Sequence, residues 1–394
     1  MENPKSGSPG RLKNIAVNLG LVLISLAFSY AVLSAFLLVY GPVVTWKPFN
    51  KFPTAATIPW QPSGPNNKDQ PYIAVFGDSY AEGVGDWNVS RTSRTEPYYS
   101  GDVISRELGM PVLSFGKNGA GSVRALVTNP GSIMNADSCT LLHSPSPPKS
   151  LVVYVYEGND FDNNVRNLRI PADGKLDSQR VTEYIQAQAH SVEDVPCYEY
   201  VKHIVINLIG GYVKILFSRE YIPNDSTGQA VMFDGKKGYI PNRLQGPALE
   251  LNGSVLDTSL EVLSQSLDHL TRRFKHTPLL VVHVPSVLTP YQFVEETVTF
   301  QPYHGGDPVR QTSEVYRASD NLCVRIQGLA LSKGLSFLDA RPDLKEAAAK
   351  REIHGPLDWK HLNREGQTTL GLSVARSIKQ GIADSGCARL AVAR

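Results

Sequence analysis

Apolar residues recur along this chain in short runs that Gly or polar residues bring to an end. These runs cover Tyr72–Phe76, Pro111–Phe115, Leu151–Tyr156, Leu279–Val284 and Leu335–Leu338. Nearly continuous apolar runs of this length are typical of strands buried on both faces, as in parallel sheets. The pattern therefore predicts at least five buried strands.

Segments with helical periodicity separate the runs. Leu256, Leu260, Leu263, Leu267 and Leu270 are spaced by fours and threes, which places them on one helix face. Four further helices are predicted over Tyr98–Leu108, from Ser122 to Pro130, over Thr312–Lys333, and from a cap at Asn363 to Gln380. Strands alternating with helices predict an α/β fold, a three-layer sandwich with a parallel sheet between two helical layers.

Residues 161–253 interrupt this alternation. They contain a predicted helix over Ser178–Ala189, an apolar segment Ile204–Phe217, and two short β-like runs around Asp234-Gly235, a typical hairpin turn. We interpret the region as an insertion that packs over one edge of the sheet near the site. A lid or a membrane-facing surface is the alternative.

The N-terminus has a different composition. Arg11 and Lys13 precede an uncharged stretch from Asn14 to Trp46. A spanning helix needs roughly 20 apolar residues, and the preceding basic residues favour a cytoplasmic N-terminus. We expect a cytoplasmic segment 1–13, a transmembrane helix 14–40, a linker 41–70 and an extracytoplasmic domain 71–394, located in the periplasm. A cleaved signal peptide is the alternative.

Composition and charge narrow the class. A hydrophobic share of 42% and a charged share of 19% are ordinary for a protein with a packed core. The net charge is only +2, and no basic run predicts nucleic-acid binding. The four cysteines allow three pairings, of which we expect Cys139–Cys197 with Cys323–Cys387; four unpaired thiols are the alternative. Their spacing matches no zinc pattern, and no metal or cofactor is expected.

Three polar clusters lie beside predicted strands or helices. Gly77-Asp78-Ser79 follows the first strand, Gly158-Asn159-Asp160 follows the third, and Asp358-Trp359-Lys360-His361 precedes the last helix. In open parallel sheets, ligands bind outside the carboxyl ends of the strands. The first two clusters should therefore meet at one edge.

These residue types are the parts of an activated nucleophile. Ser79 would attack, His361 would take its proton, and Asp358 would orient the imidazole. The oxyanion that forms needs fixed donors, for which the candidates are the N–H groups of Ser79 and Gly119 and the Asn159 side chain. Each cluster alone could equally be a helix cap or a turn.

Four other residues are weaker candidates for contact with substrate. Asp78 and Tyr80 flank the serine, and His283 ends a predicted strand. His304 lies in the long loop from Val287 to Val309, and long loops are often functional. For a lone histidine, a structural role is the more common alternative.

From Tyr72 to about Gln380 the chain resembles the SGNH hydrolase family, also called GDSL-like lipases and esterases. Gly77-Asp78-Ser79 matches its serine block, with Tyr80 in place of the name-giving leucine. Phe115–Gly121 and Gly158-Asn159-Asp160 resemble its glycine and asparagine blocks, and Asp358–His361 matches its histidine block. The resemblance implies a flavodoxin-like sheet and metal-free acyl transfer in two steps.

The leading functional hypothesis is a serine esterase that hydrolyses an O-acyl group, such as O-acetyl, on an exported or cell-envelope carbohydrate. An O-acetyltransferase that uses the same residues to acylate an extracytoplasmic glycan is the second hypothesis. A lipid esterase and a non-catalytic glycan-binding protein are the remaining ones. The expected partners are thus a carbohydrate or lipid ester and, through the N-terminal helix, the membrane.

Overall fold

The fold is that of a computed structural model of the full chain. It describes residues 9–40, 54–58, 61–65, 69–86, 99–135, 145–171, 173–193, 228–251, 253–303, 308–381 and 386–388, with a few single positions between these ranges. The predicted apolar segment Ile204–Phe217, apart from the exposed Ile206, lies outside the described residues. So do Cys139, Cys197 and His304.

A five-stranded parallel sheet forms the centre of the fold, as the apolar runs predicted. Across the sheet, the strands follow the order Val112–Ser114, Ile73–Phe76, Ser150–Tyr156, Leu279–Val284 and Ser336–Asp339. Ile73 pairs with both Val112 and Ser150, and Leu151 pairs with Leu279. The strands are β1 (Ile73–Phe76), β2 (Val112–Ser114), β3 (Ser150–Tyr156), β6 (Leu279–Val284) and β9 (Ser336–Asp339).

Helices cover both faces of this sheet because neighbouring residues of each strand point to opposite sides. On one face, Val75 lies in a core cluster with Ile104 and Leu370. On the other, the Phe76 ring packs against Phe115 and Phe274, with ring centroids 4.9 and 6.0 Å away. The described helices are α1 (Pro9–Tyr40), α2 (Thr54–Thr57), α3 (Ser79–Glu82), α4 (Ser100–Leu108), α5 (Asn129–Met134, after a π-turn at Arg124–Thr128), α6 (Asp160–Leu168), α7 (Ser178–His190), α8 (Gly253–Arg273), α9 (Thr312–Ser332), α10 (Arg341–Lys350) and α11 (Arg364–Lys379).

The described part of the insertion packs on the body of the fold in two places. Val181 and Ile185 of α7 form a small core with Val262 of α8. The hairpin of β4 (Gln229–Phe233) and β5 (Lys236–Ile240) turns at Asp234-Gly235, as predicted. A second hairpin, β7 (Thr297–Thr299) with β8 (Val309–Gln311), follows the fourth strand of the sheet.

Part of the predicted linker is folded onto the sheet. The Gln61 side chain accepts a hydrogen bond from Ser114 N and donates one to Ser114 O, at 2.6 and 2.7 Å. Ser63 O accepts from Val112 N at 2.7 Å. These bonds satisfy the open edge of β2, so a polar, proline-rich segment that looked like a tether protects a strand edge.

The N-terminal helix α1 belongs to a unit of its own, residues 1–44, and residues 45–394 form the second unit. Its described side chains, such as Ile24 and Phe28, are more than half exposed. Within the described residues, no helix was found long and apolar enough to cross a bilayer. The expected transmembrane helix 14–40 is therefore not supported.

A disulfide bond fixes the C-terminal segment to the body. Cys323 in α9 and Cys387 are joined with a Cα–Cα distance of 5.9 Å, which is one of the two pairs that we expected. The next residue, Ala388, donates its N–H to Asp339 and accepts a hydrogen bond from Arg341, at 3.1 and 2.9 Å. The tail thus completes the hydrogen bonding of two buried charged groups.

Candidate active site

The glycine of the serine block allows a tight turn between β1 and α3. Gly77 has φ +147°, and a Cβ there would lie 2.9 Å from the Tyr154 carbonyl oxygen on the neighbouring strand. Any other side chain would therefore push β1 away from β3. The turn brings Ser79 to the first position of α3, at the carboxyl end of β1.

Asp78 holds this turn rather than facing a substrate. It is fully buried, and its Oδ1 accepts from Tyr80 N at 2.9 Å, which caps α3. Burial raises the pKa of Asp78 to about 6, and the hydrogen bond from Tyr80 N and the nearby His361 only partly oppose this. None of Asp78 is exposed, so the structure gives its expected contact with substrate no support.

The Ser79 hydroxyl donates to Asp78 Oδ2 at 3.1 Å. Between the described residues, no hydrogen bond joins Ser79 to His361. The charge of His361 nevertheless opposes the rise that burial causes in the pKa of this carboxylate, and Asp78 in turn contributes to the raised pKa of His361. The serine is only 2% exposed, and the ring of the next residue, Tyr80, lies 5.7 Å from the His361 ring.

His361 and Asp358 form a close pair at the start of the last helix. Nδ1 of His361 lies 2.6 Å from Asp358 Oδ2, and the two side chains are 13% and 12% exposed. Burial lowers the pKa of His361, but the charge and hydrogen bond of Asp358, with a contribution from Asp78, raise it above its ordinary value overall. Conversely, burial raises the pKa of Asp358, yet His361 brings it below the ordinary value.

Asp86 fixes the backbone of this block and was not singled out from the sequence. Its Oδ1 accepts from Leu357 N at 3.2 Å and from Asp358 N at 2.8 Å. Lys360 N in turn donates to Asp358 Oδ1 at 3.1 Å. Both carboxylates thus receive backbone donors, which sets the direction of the Asp358 side chain toward His361. No local pattern around Asp86 signals this long-range role.

Tyr80 packs against the histidine block, residues 358–361. Its ring stacks on Tyr156 with centroids 4.1 Å apart and lies 5.7 Å from the His361 ring. Its hydroxyl donates to Lys360 O at 3.1 Å. Tyr80 is only 1% exposed, so the structure gives its expected contact with substrate no support, and its contacts instead position the histidine.

Two of the expected oxyanion donors have no partner inside the described part of the chain. Gly119 has φ +68° in the turn that the Ala120 N–H closes onto Lys117 O at 2.9 Å, and its own N–H donates to no described residue. The Asn159 side chain, at the N-cap of α6, makes no capping hydrogen bond, and its buried Oδ1 has no partner among the described residues. Both donors therefore remain available.

Hydrogen bonds between Asn164 and Ser122 join the two segments that carry these donors. Asn164, in the helix that Asn159 begins, accepts from Ser122 N at 2.8 Å and donates to the Ser122 hydroxyl at 2.9 Å. Gly121 leaves room for this contact, because a Cβ there would lie 2.7 Å from Asn164 Oδ1. The turn of Gly119 is thereby held beside α6.

His283 does not line the site. It is completely buried at the end of β6, and its Nε2 lies 2.9 Å from Glu157 Oε2. Glu157 also accepts from Ser286 N at 2.9 Å and from the Ser319 hydroxyl at 2.7 Å. The expected substrate contact of His283 is therefore wrong, because the next strand supplies a carboxylate that encloses the ring.

One buried cluster has the residue types of a metal site. Ligand atoms of His283, Cys323 and Asp339 lie within 4.8 Å of one another. However, the Cys323 sulfur is bonded to Cys387, and Asp339 accepts from the Arg341 guanidinium twice, both at 2.9 Å. Two of the three groups are already engaged, so this set does not fit a metal ion.

Comparisons with known proteins give one family. Residues 73–232 match the family model described as GDSL-like Lipase/Acylhydrolase. No curated protein matches the chain. Among solved structures it is similar to a putative arylesterase from Agrobacterium tumefaciens (14% identity, TM-score 0.37, 80% of this chain and 100% of that one). A carbohydrate acetylesterase from Sinorhizobium meliloti and a phospholipase A1 from Streptomyces albidoflavus each show 13% identity over 79% of this chain and 99% of theirs, with TM-scores of 0.35 and 0.34. At these scores the structural likenesses carry no argument about function.

Proposed function

Because residues 73–232 match the model described as GDSL-like Lipase/Acylhydrolase, we propose that the chain hydrolyses esters through Ser79, His361 and Asp358. The observation that carries this proposal is the 2.6 Å contact between His361 Nδ1 and Asp358 Oδ2 beside the serine turn. With Nδ1–H donated to the carboxylate, the lone pair is on Nε2, which is the atom that can accept a proton.

In the proposed first step, the Ser79 hydroxyl turns from Asp78 toward His361 and attacks the ester carbonyl. Its proton passes to Nε2 as the new C–O bond forms. The carbonyl oxygen becomes an oxyanion, to which Gly119 N–H and the Asn159 amide can donate, since both lack other partners among the described residues. The carbonyl re-forms, the alkoxy group leaves, and His361 gives it the proton.

The second step repeats this chemistry with water. His361 takes a proton from water, the resulting hydroxide attacks the acyl-Ser79 carbonyl, and the bond to Ser79 Oγ breaks. The proton returns from His361 to the serine, and the carboxylic acid leaves. The raised pKa of His361 suits this role, because the imidazolium that forms is stabilised by Asp358.

We propose a carbohydrate O-acyl ester as the substrate and an extracytoplasmic location. The Cys323–Cys387 disulfide supports the location, because such bonds persist mainly in oxidising compartments. Fractionation of cells that express the full chain tests the location: we expect the oxidised protein outside the cytoplasm. Reduced protein confined to the cytoplasm would contradict it.

The activity is tested by p-nitrophenyl acetate release from the full chain. We expect turnover that falls by roughly 10⁴-fold or more in Ser79→Ala. Asp78→Asn is not a suitable control because Asp78 caps the serine helix, so the exposed Lys236→Gln serves instead. Equal rates in parent and Ser79→Ala, with both folded, would overturn the proposed nucleophile.

A further inference from the structure

A groove of about 960 Å³ begins at the Asp358 side of the site. Three separate segments form it: the loop after β5, the ends of β7 and β8, and the histidine block. Its position next to the carboxylate that orients His361 makes it the continuation of the proposed active site. Among the residues that line it are Asn242, Arg243, Gln301, Trp359 and Lys360.

The charges in this groove are predominantly positive. Arg243 and Lys360 are exposed, and neither forms an ion pair with any described residue. The carboxylate that also lines the groove, Asp358, is already bonded to His361. Two cations and one carboxylate, that of Asp358, therefore line the described part of the groove, so its charge is positive overall, which favours an anionic ligand.

Arg243 is held in place by an unusual backbone. Its φ is +57°, a left-handed conformation that costs conformational energy for any residue except glycine. Arg169, at φ 52°, has an ordinary reason for this conformation because it caps the end of α6, whereas Arg243 lies in a loop. The Arg243 N–H donates to the Thr299 hydroxyl at 3.2 Å, so the loop is fixed to β7. Strain of this kind clusters at ligand sites.

Trp359 forms an aromatic side of the groove, and its ring is also fixed in position. The Trp359 indole lies over Gly355, where a Cβ would approach Trp359 Cε2 to 2.4 Å. Gly355 is therefore required for the position of the ring. An indole face with amide side chains such as Asn242 and Gln301 nearby is the combination that accommodates the C–H face and hydroxyls of a sugar ring.

We infer that this groove binds a carboxylate-bearing glycan, that is, a uronate-containing sugar chain, with Arg243 and Lys360 on the carboxylates and Trp359 against a ring. The planar guanidinium can pair with a carboxylate through two hydrogen bonds. This inference rests on the proposed function, since it makes the acyl group on such a glycan the target of Ser79.

The test measures binding and catalysis separately. Binding of galacturonic acid oligomers to the full-length Ser79→Ala protein is followed by calorimetry, with neutral xylose oligomers and phosphatidylglycerol vesicles as comparison ligands. We expect the uronate oligomer to bind more tightly than the neutral one and to weaken with added salt. Combining Arg243→Gln with Lys360→Gln should weaken binding at least about 10-fold, and Lys236→Gln, an exposed lysine of the β4–β5 hairpin, should not.

Three outcomes would overturn the inference: equal binding of uronate and neutral oligomers, no effect of the double substitution, or binding to the vesicles alone. Activity toward p-nitrophenyl acetate separates this failure from that of the proposed function. If the acetate is hydrolysed but charge has no effect on oligomer binding, only the inference fails. If oligomers bind as expected but no ester is cleaved, the groove stands and the catalytic proposal fails.

Discussion

Two histidine–carboxylate pairs lie near the carboxyl edge of the same sheet, and their surroundings differ. His283 and Glu157 are both 0% exposed, whereas His361 and Asp358 retain 13% and 12% exposure beside a groove. The enclosed carboxylate is surrounded by further donors, while the other pair leaves one imidazole nitrogen for a reactant. Both places hold a histidine beside a carboxylate, so solvent access and the remaining partners distinguish the structural pair from the proposed catalytic one.

The largest expected difference is in activity. His361→Ala should lower ester hydrolysis by roughly 10⁴-fold or more, because the proposed serine then loses its base. His283→Ala should leave the soluble fraction with nearly parental turnover per folded molecule, although with lower stability. Turnover normalised to folded protein measures this. A loss of the same size in His283→Ala would remove the distinction between the pairs.

The enclosed pair, His283 with Glu157, should contribute more to the stability of the fold than the open pair, His361 with Asp358. Glu157→Ala leaves His283 without its neighbouring carboxylate and the donors of Ser286 and Ser319 without their buried acceptor, which should cost roughly 3–5 kcal/mol in the free energy of unfolding. Urea denaturation of Glu157→Ala and of the milder Glu157→Gln measures it. Asp358→Ala should be much less destabilising because its site is partly open; similar losses would contradict the comparison.

The same carboxylate should make stability depend on acid pH. Although burial raises the pKa of Glu157, His283 and other donors bring it from 4.5 to about 2. Its contribution, about 3 kcal/mol, is present above the unfolded value and is lost as the pH falls from 4.5 toward 2. Unfolding free energies across this range should show a weaker slope in Glu157→Gln than in the parent.

The Cys323–Cys387 disulfide, near the enclosed pair, should affect stability without affecting activity. Its closed loop of 64 residues corresponds to a loop-entropy stabilisation of roughly 4 kcal/mol, with measured values often smaller. Reduction, or Cys323→Ala with Cys387→Ala, should lower the unfolding midpoint while p-nitrophenyl acetate turnover of the folded protein stays near that of the parent. A large loss of activity in folded, reduced protein would contradict this, because the segment of Cys387 would then influence the His361–Asp358 pair.

The smallest expected effect is a shift of the pH profile. His361 must be neutral to accept the proton, so activity should rise with pH as it deprotonates, with the acid limb above the ordinary histidine range because its pKa is raised. Asp358→Asn removes the charge that raises this pKa, so the limb should move to lower pH while the maximum rate falls. An unmoved limb would contradict the role of Asp358.

Some features could be predicted because they are local in sequence. The strands follow from uninterrupted apolar runs such as Leu151–Tyr156, and the cap at Asn363 follows from its position, where it accepts from Glu365 N and Gly366 N. The Asp358–His361 contact also follows from a spacing of three residues.

Other features depend on partners that are distant in sequence. His283 ends a strand, as expected, but Glu157 on the adjacent strand decides that it is enclosed. Asp86 reaches the histidine block over more than 270 positions, and Gln61 completes a strand edge from within an apparent linker. No periodicity or composition reports such contacts, because they exist only once the sheet order is known.

The most direct test of the central claim is covalent labelling of the full-length protein with a fluorophosphonate, read by intact mass and peptide mapping. We predict one adduct per molecule, located on Ser79, with labelling at least about 100-fold slower in His361→Ala, since the hydroxyl then has no base. His283→Ala serves as the matched control and should label at the parental rate. An adduct on another residue, or none on folded protein, would contradict the account.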